Sequence, residues 1–356
     1  MNKNLYQKYL LTITVTIFLL GSLLYIGRIK THRNIDYSKW RNPFFRFKKA
    51  HGIFIITLGR SGSSFFGELF KSHPDVLYHY EPLRPVLRNN NNATTEEIAK
   101  YIDELLSCNV SVNRSLYIND RAMRANRLFS TMLNCSEGTA CKDYHVNITL
   151  LNEQCKKKYK HAAVKILQRR FPHGAKNILK HTKYRNKRII QLVRDPRGVF
   201  NSMNRVGWLE GNGQRVNFDI VRSSCDTLYK DYQDIKHMKG YILLRYEDLC
   251  ENLIQKMKEI FDFIGIKFTK SYKDHLFSIL NKPDSEKEKL SAYSTSKNIT
   301  EAFQKWRDRV DIKFVQGVEA ACGKVMDAFG YIKVGDNTSL LHNRVLHKRL
   351  YKVKSW

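Results

Sequence analysis

The chain has 356 residues, 42% of them hydrophobic and 12% aromatic, which excludes disorder of the whole and allows one large domain with a substantial buried core. Lysine and arginine total 62 against 33 aspartate and glutamate, a formal charge of +29. That balance points to an anionic partner, whether nucleic acid, acidic lipid or acidic glycan, with solubility as the alternative use of the scattered lysines.

Residues 1–8 are a short polar start, predicted to be a cytoplasmic tail, and residues 9–27, YLLTITVTIFLLGSLLYIG, form an uncharged run between Lys8 and Arg28. At about 1.5 Å per residue the run reaches roughly 28 Å, enough to cross a bilayer core. It lacks the short apolar region and A-x-A-like exit of a cleaved signal, so a retained transmembrane anchor is predicted. The basic residues from Arg28 to Lys49 outnumber Lys3 and Lys8, and the positive-inside rule alone would keep the long segment in the cytosol. Sequons beginning at Asn92, Asn109, Asn113, Asn134, Asn147, Asn298 and Asn337 argue for the lumen, the compartment in which they are usable. The sequons decide the orientation, and with the anchor they remove nucleic acid from the partners. Residues 28–50, basic and aromatic without periodicity, read as a stem.

The folded part starts at residue 51. Residues 52–58, GIFIITL, are a continuous run rich in β-branched residues, as in a strand buried on both faces of a parallel sheet. Short apolar runs at 76–80, 162–167, 188–193 and 241–246 follow, separated by helical stretches, and this rhythm predicts an α/β fold. Residues 89–160 interrupt it with polar residues, sequons and four cysteines, and read as a surface insertion. Cys108, Cys135, Cys141 and Cys155 fall there, while Cys225, Cys250 and Cys322 are dispersed. No C-x-x-C spacing occurs, so disulfides are expected ahead of a zinc site, with their pairing open. The domain ends at 335, leaving 336–356 as a basic tail.

Two loops carry chemistry. Between the first strand and an amphipathic helix lies Gly59-Arg60-Ser61-Gly62-Ser63-Ser64, small residues that let an anion approach backbone N–H groups at a helix N-terminus. The loop has neither the Walker A spacing and lysine nor the G-x-S-x-G of a nucleophile elbow; an ordinary turn and cap is its structural alternative. The second loop follows RIIQLV. Arg194 stands at the strand end, Asp195 can cap the next helix, Pro196 suits its first turn and Ser202 lies within it. Arg194 and Ser202 can both face the crevice outside the strand ends and offer a guanidinium and a hydroxyl to a second phosphate. A capping aspartate beside a solvated arginine is the alternative.

In this order, FIITLGRSGSSFFGELFKSHPDVLYHYEPL, LVRDPRGVFNSM, LLRYEDLCENL and the stretch from Lys305-Trp306-Arg307 through Cys322 to Tyr331 resemble the Golgi carbohydrate 6-O-sulfotransferases acting on N-acetylglucosamine, galactose or N-acetylgalactosamine. The resemblance spans residues 50–335, with gaps in 89–160. It implies a P-loop-like three-layer α/β/α sandwich around a central parallel sheet, in a single-pass type II Golgi membrane protein with its catalytic domain in the lumen. It also implies 3′-phosphoadenylyl sulfate as co-substrate, no metal, and a glycan or proteoglycan acceptor, to which the positive charge adds an acidic character. Carried over position by position, the backbone of Arg60, Ser61, Gly62, Ser63, Ser64, Phe65 and Phe66 would cradle the 5′-phosphosulfate. Arg60 would counter charge on the bridging oxygen as its bond to sulfur breaks. Arg194 and Ser202 would grip the 3′-phosphate, Arg197 of the same segment would join the donor site, and Tyr246 would lie near the adenine. Glu81 resembles the family's glutamate before proline and would be the base, with an ion pair to Arg84 or Arg88 as its structural alternative and His73 and His79 as competitors. Lys305 and Arg307 would cap the nucleotide. Two other functions share parts of the pattern: a tyrosylprotein sulfotransferase, and a catalytically inactive, membrane-tethered polyanion-binding protein.

Overall fold

The computed structural model describes residues 52–90, 92–111, 147–170, 174–184, 186–210, 216–280 and 303–342. The predicted anchor at 9–27, the stem, Cys135, Cys141 and the sequons at Asn113, Asn134 and Asn298 lie outside them. Among the described residues no helix is long and apolar enough to cross a membrane.

The strands are β1 (Gly52–Thr57), β2 (Val76–His79), β3 (His161–Leu167), β4 (Lys187–Val193) and β5 (Tyr241–Arg245). The helices, in chain order, are α1 (Ser63–Lys71), α2 (Leu83–Asn89), α3 (Thr95–Leu106), α4 (Ile148–Lys158), α5 (Ala175–His181) and α6 (Pro196–Asn204). They continue with α7 (Phe218–Ile235), α8 (Tyr246–Glu251), α9 (Leu253–Ile264), α10 (Lys270–Leu280), α11 (Ile312–Phe329) and α12 (Thr338–His342).

The sheet has the order β2-β3-β1-β4-β5 and every pairing is parallel. Alternation along the strands divides the core between its two faces. Phe54, Ile56, Leu77, Val164, Ile166 and Ile189 pack with α3, α4 and α5; Ile53, Ile55, Tyr78, Ala163, Ile190, Leu192 and Leu244 pack with α1, α9 and α10. The sheet is therefore covered by helices on both sides, and strands buried on both faces explain the unbroken apolar runs. A further cluster joins Leu58 and Val193, at the strand ends, to α6, α7 and α11. Disulfides tie Cys108, just past α3, to Cys155 in α4, and Cys225 in α7 to Cys322 in α11.

Two boundaries differ from the sequence expectation. The insertion over 89–160 was expected at the surface, but α3 begins with a capping box between Thr94 and Glu97 and buries Ile98, Tyr101, Ile102 and Leu105 against the sheet. Its other face carries Glu96, Glu97 and Lys100, so the segment's polar average concealed an amphipathic layer helix. At the other end, α12 lies beyond the boundary at 335 and buries Leu341 with Trp306, Val315 and Val334.

Candidate active site

Because all five strands are parallel, their carboxyl ends share one edge, where the loops after β1 and β4 meet. The chain leaves β1 towards β2 on one side and leaves β4 towards β5 on the other, which opens a crevice between adjacent strands. The first loop turns sharply, with positive φ at Arg60 (67°) and Gly62 (82°). The first bond of α1 is donated by Phe66 N–H to the Gly62 carbonyl at 3.0 Å, so the amides of Ser63, Ser64 and Phe65 precede the ladder of their own helix. Phe65 and Phe66, in the first turn of α1, have buried side chains that belong to the core.

The second loop meets the first directly. Arg60 Nε donates to Ser202 Oγ at 3.0 Å, and Arg194 Nη1 donates to the Arg60 carbonyl at 3.2 Å. Arg194 Nε is buried with no hydrogen-bond partner among the described residues. The Arg194 guanidinium lies 5.1 Å from the Tyr246 ring, and that ring closes on the turn, because a Cβ at Gly62 would come within 2.2 Å of it. Asp195 caps α6 through the Arg197 N–H. These contacts thus bring Arg60, Gly62, Arg194, Ser202 and Tyr246 together, with Ser61, Ser63 and Ser64 in the same turn and helix start.

Behind the second loop stands a polar network. Tyr331 donates to Glu247 Oε2 at 2.8 Å, and the Asp195 N–H donates to Glu247 Oε1 at 3.0 Å. Burial, and then the charge of Asp195, raise the Glu247 carboxyl above its ordinary value. Burial alone would raise Asp195 too, but the Arg197 guanidinium outweighs it and holds that carboxyl low.

Arg197 belongs to this network and not to the contacts between the two loops. Its side chain is fully buried, with Nε and Nη2 on the two oxygens of Asp195 and Nη1 on Glu319 Oε1 and the Ile332 carbonyl. A guanidinium committed on every nitrogen to protein oxygens has no face for a phosphate, so the expectation that it binds donor is withdrawn. Glu319 also accepts from the N–H groups of Val334 and Gly335, and the pair therefore ties the C-terminal segment to α6.

Glu81 follows β2 with φ 44°, and its ion pairs are not with Arg84 or Arg88, the alternative the sequence offered. Lys165 Nζ lies 3.1 Å from its Oε1 and Arg170 Nη2 lies 3.4 Å from its Oε2; Arg84 and Arg88 project from α2 as exposed side chains. Lys165 sits in the middle of β3, 1% exposed, on the face covered by α1. It donates to Ser64 Oγ at 3.4 Å and stands 3.9 Å from the Tyr80 ring. Burial lowers its pKa, opposed by Glu81 and reinforced by Arg170 and Arg60. Sequence reasoning missed it, although a lone lysine inside AAVKIL was a signal, since an ammonium in a doubly covered strand needs a partner.

The competing histidines are structural. His73 Nδ1 accepts from the Asp75 N–H and its Nε2 faces the Lys267 carbonyl. His79 is buried beneath α3, and desolvation lowers its pKa to about 4. Of the expected cap, Arg307 is buried against Trp306 and Lys305 is exposed.

The sulfotransferase domain family matches residues 51–330. Carbohydrate sulfotransferase 3 of Mus musculus is 28% identical over 337 residues, covering 82% of this chain and 70% of that protein. Carbohydrate sulfotransferase 1 of Danio rerio is 27% identical over 352 residues, covering 84% and 82% respectively. Among solved structures, a sulfotransferase domain from the curacin biosynthetic pathway has a TM-score of 0.46 at 17% identity, covering 80% of this chain and 99% of that one.

Proposed function

The chain belongs to the sulfotransferase domain family, and from that premise we propose that it moves a sulfuryl group from 3′-phosphoadenylyl sulfate to a sugar hydroxyl. The acceptor is the 6-hydroxyl of N-acetylglucosamine, galactose or N-acetylgalactosamine in a glycan or proteoglycan. The relatives named as carbohydrate sulfotransferases support the sugar. One observation supports the donor: Arg60 is hydrogen-bonded both to Ser202 and to Arg194, so the anion loop and the second loop adjoin and their cationic groups can serve two phosphates.

In this reading the amides of Ser63, Ser64 and Phe65, at the positive end of α1, bind the phosphosulfate. Arg194 and Ser202 bind the 3′-phosphate, and Tyr246 packs beside the adenosine. Glu81 takes the proton of the acceptor hydroxyl as its oxygen bonds to sulfur and the bond from sulfur to the bridging oxygen breaks, releasing 3′,5′-adenosine bisphosphate. Arg60 offsets the charge left on that oxygen. Lys165, in contact with both Ser64 and Glu81, fixes the base relative to the anion loop, so that positioning and electrostatics supply most of the acceleration.

We place the domain in the Golgi lumen, anchored by residues 9–27 as a type II protein; the apolar run, the sequons and the two disulfides support this. The test is to incubate the detergent-solubilised chain with labelled donor and a panel of glycans and tyrosine peptides, then locate the label by mass spectrometry. Sulfate on a sugar 6-hydroxyl is expected. Labelling of tyrosine alone would contradict the proposal.

A further inference from the structure

Trp208 has no part in the donor cleft, yet it stands beside it. After α6 the chain turns back: the Trp208 N–H donates to the Met203 carbonyl at 3.0 Å, and the next carbonyl, of the buried Leu209, accepts from the Asn217 N–H at 2.8 Å. Glu210 then pairs with Val216 in an antiparallel bridge. The backbone is thus held on both sides of residue 208 while its side chain stays 39% exposed.

Single exposed aromatics are common on protein surfaces and mean little by themselves. This one is fixed against the reacting loop. The edge of its indole lies 3.1 Å from where a Cβ at Gly59 would stand, and its ring centre is 6.0 Å from the Arg60 guanidinium carbon.

We propose that Trp208 is the platform on which the acceptor sugar ring stacks. The inference rests on the sulfuryl-transfer reading above and adds the acceptor side of the site. A pyranose has an apolar face of C–H groups, and an exposed indole held against Gly59 matches it. Adenine also stacks on aromatic rings, but Tyr246 already offers a ring to that end of the donor, against Gly62 and 5.1 Å from Arg194. Trp208 flanks Arg60 instead, the residue assigned to the bridging oxygen, one bond from the sulfur that an acceptor must reach.

The experiment uses the solubilised full chain, as wild type, Trp208→Leu and Trp208→Phe. Leucine keeps an apolar group on Gly59 without a π face; phenylalanine restores the face. Binding of the methyl β-glycosides of N-acetylglucosamine, galactose and N-acetylgalactosamine is followed by saturation-transfer NMR, and binding of 3′,5′-adenosine bisphosphate by calorimetry. At least one glycoside is expected to bind wild type, to lose roughly tenfold in affinity in Trp208→Leu, and to recover to within about threefold in Trp208→Phe. The bisphosphate affinity stays the same in all three. Failure of every glycoside to bind wild type, equal binding in Trp208→Leu, or loss of bisphosphate binding in Trp208→Leu would each overturn the inference. Absent bisphosphate binding in wild type would instead contradict the donor reading, and the two failures are thereby distinguished.

Discussion

The contact between the anion loop and Tyr246 can be tested by a single methyl group. Gly62 has φ +82°, and a Cβ there would lie 2.2 Å from Tyr246 Cε2 and 2.3 Å from Cδ2. Gly62→Ala therefore carries two costs. The left-handed backbone costs an L-residue about 1–2 kcal/mol, and forcing the ring aside in a packed site costs about 1–3 kcal/mol. Gly335 also has positive φ, +57°, but nothing lies within 4 Å of its Cβ position, so Gly335→Ala meets the first cost alone. In thermal unfolding followed by near-ultraviolet circular dichroism, Gly62→Ala should lower Tm by about 5–15 °C and Gly335→Ala by only about 2–6 °C. Adding Tyr246→Ala should remove the steric part, a coupling of about 1–3 kcal/mol in the double-mutant cycle. If the two glycine variants unfold alike and the cycle is additive, the ring does not close on the loop and the geometry of the cleft is wrong.

Glu81→Gln should lower kcat by about 10²–10⁴ while leaving calorimetric binding of 3′,5′-adenosine bisphosphate unchanged. Lys165→Met should leave Glu81 with Arg170 as its main counter-charge and destabilise the fold by up to about 3–5 kcal/mol in urea titration. The His79 pKa falls from 6.5 to about 4 on folding, so between those values the unfolded chain binds more protons than the folded one and stability drops as pH falls. That group contributes about 3 kcal/mol, and His79→Gln should flatten the acid limb of a stability profile between pH 6.5 and 4. Cys225 and Cys322 are 97 residues apart; replacing both by serine should cost about 4–5 kcal/mol on the chain-entropy estimate, measured by denaturant unfolding.

Much of the fold was legible because its signals are local. Five apolar runs became five strands, since strands covered on both faces need no polar alternation, and Gly62 and Pro196 mark helix starts that appear where expected. What escaped depends on distance in the chain. Nothing within LVRDPRG tells Arg194, which reaches the Arg60 carbonyl, from Arg197, which is spent on Asp195 and Glu319; the second partner is 122 residues away. The pairing of Glu81 with Lys165 was hidden likewise, because it requires knowing that β2 and β3 are neighbours. The layer helix at Thr95–Leu106 was obscured by averaging over the polar segment around it. Trp208 gave no signal at all, since its place beside Gly59 depends on the fold.

The central claim is that one cleft holds both phosphates of the donor, with Arg194 reaching it from the second loop. Its most direct test is calorimetric titration of 3′,5′-adenosine bisphosphate into the wild-type chain and Arg194→Ala. Binding by wild type, weakened about 10- to 150-fold in the variant, as for a lost hydrogen bond to a charged group, is the expected result. No binding by wild type, or equal binding by both proteins, would contradict the account.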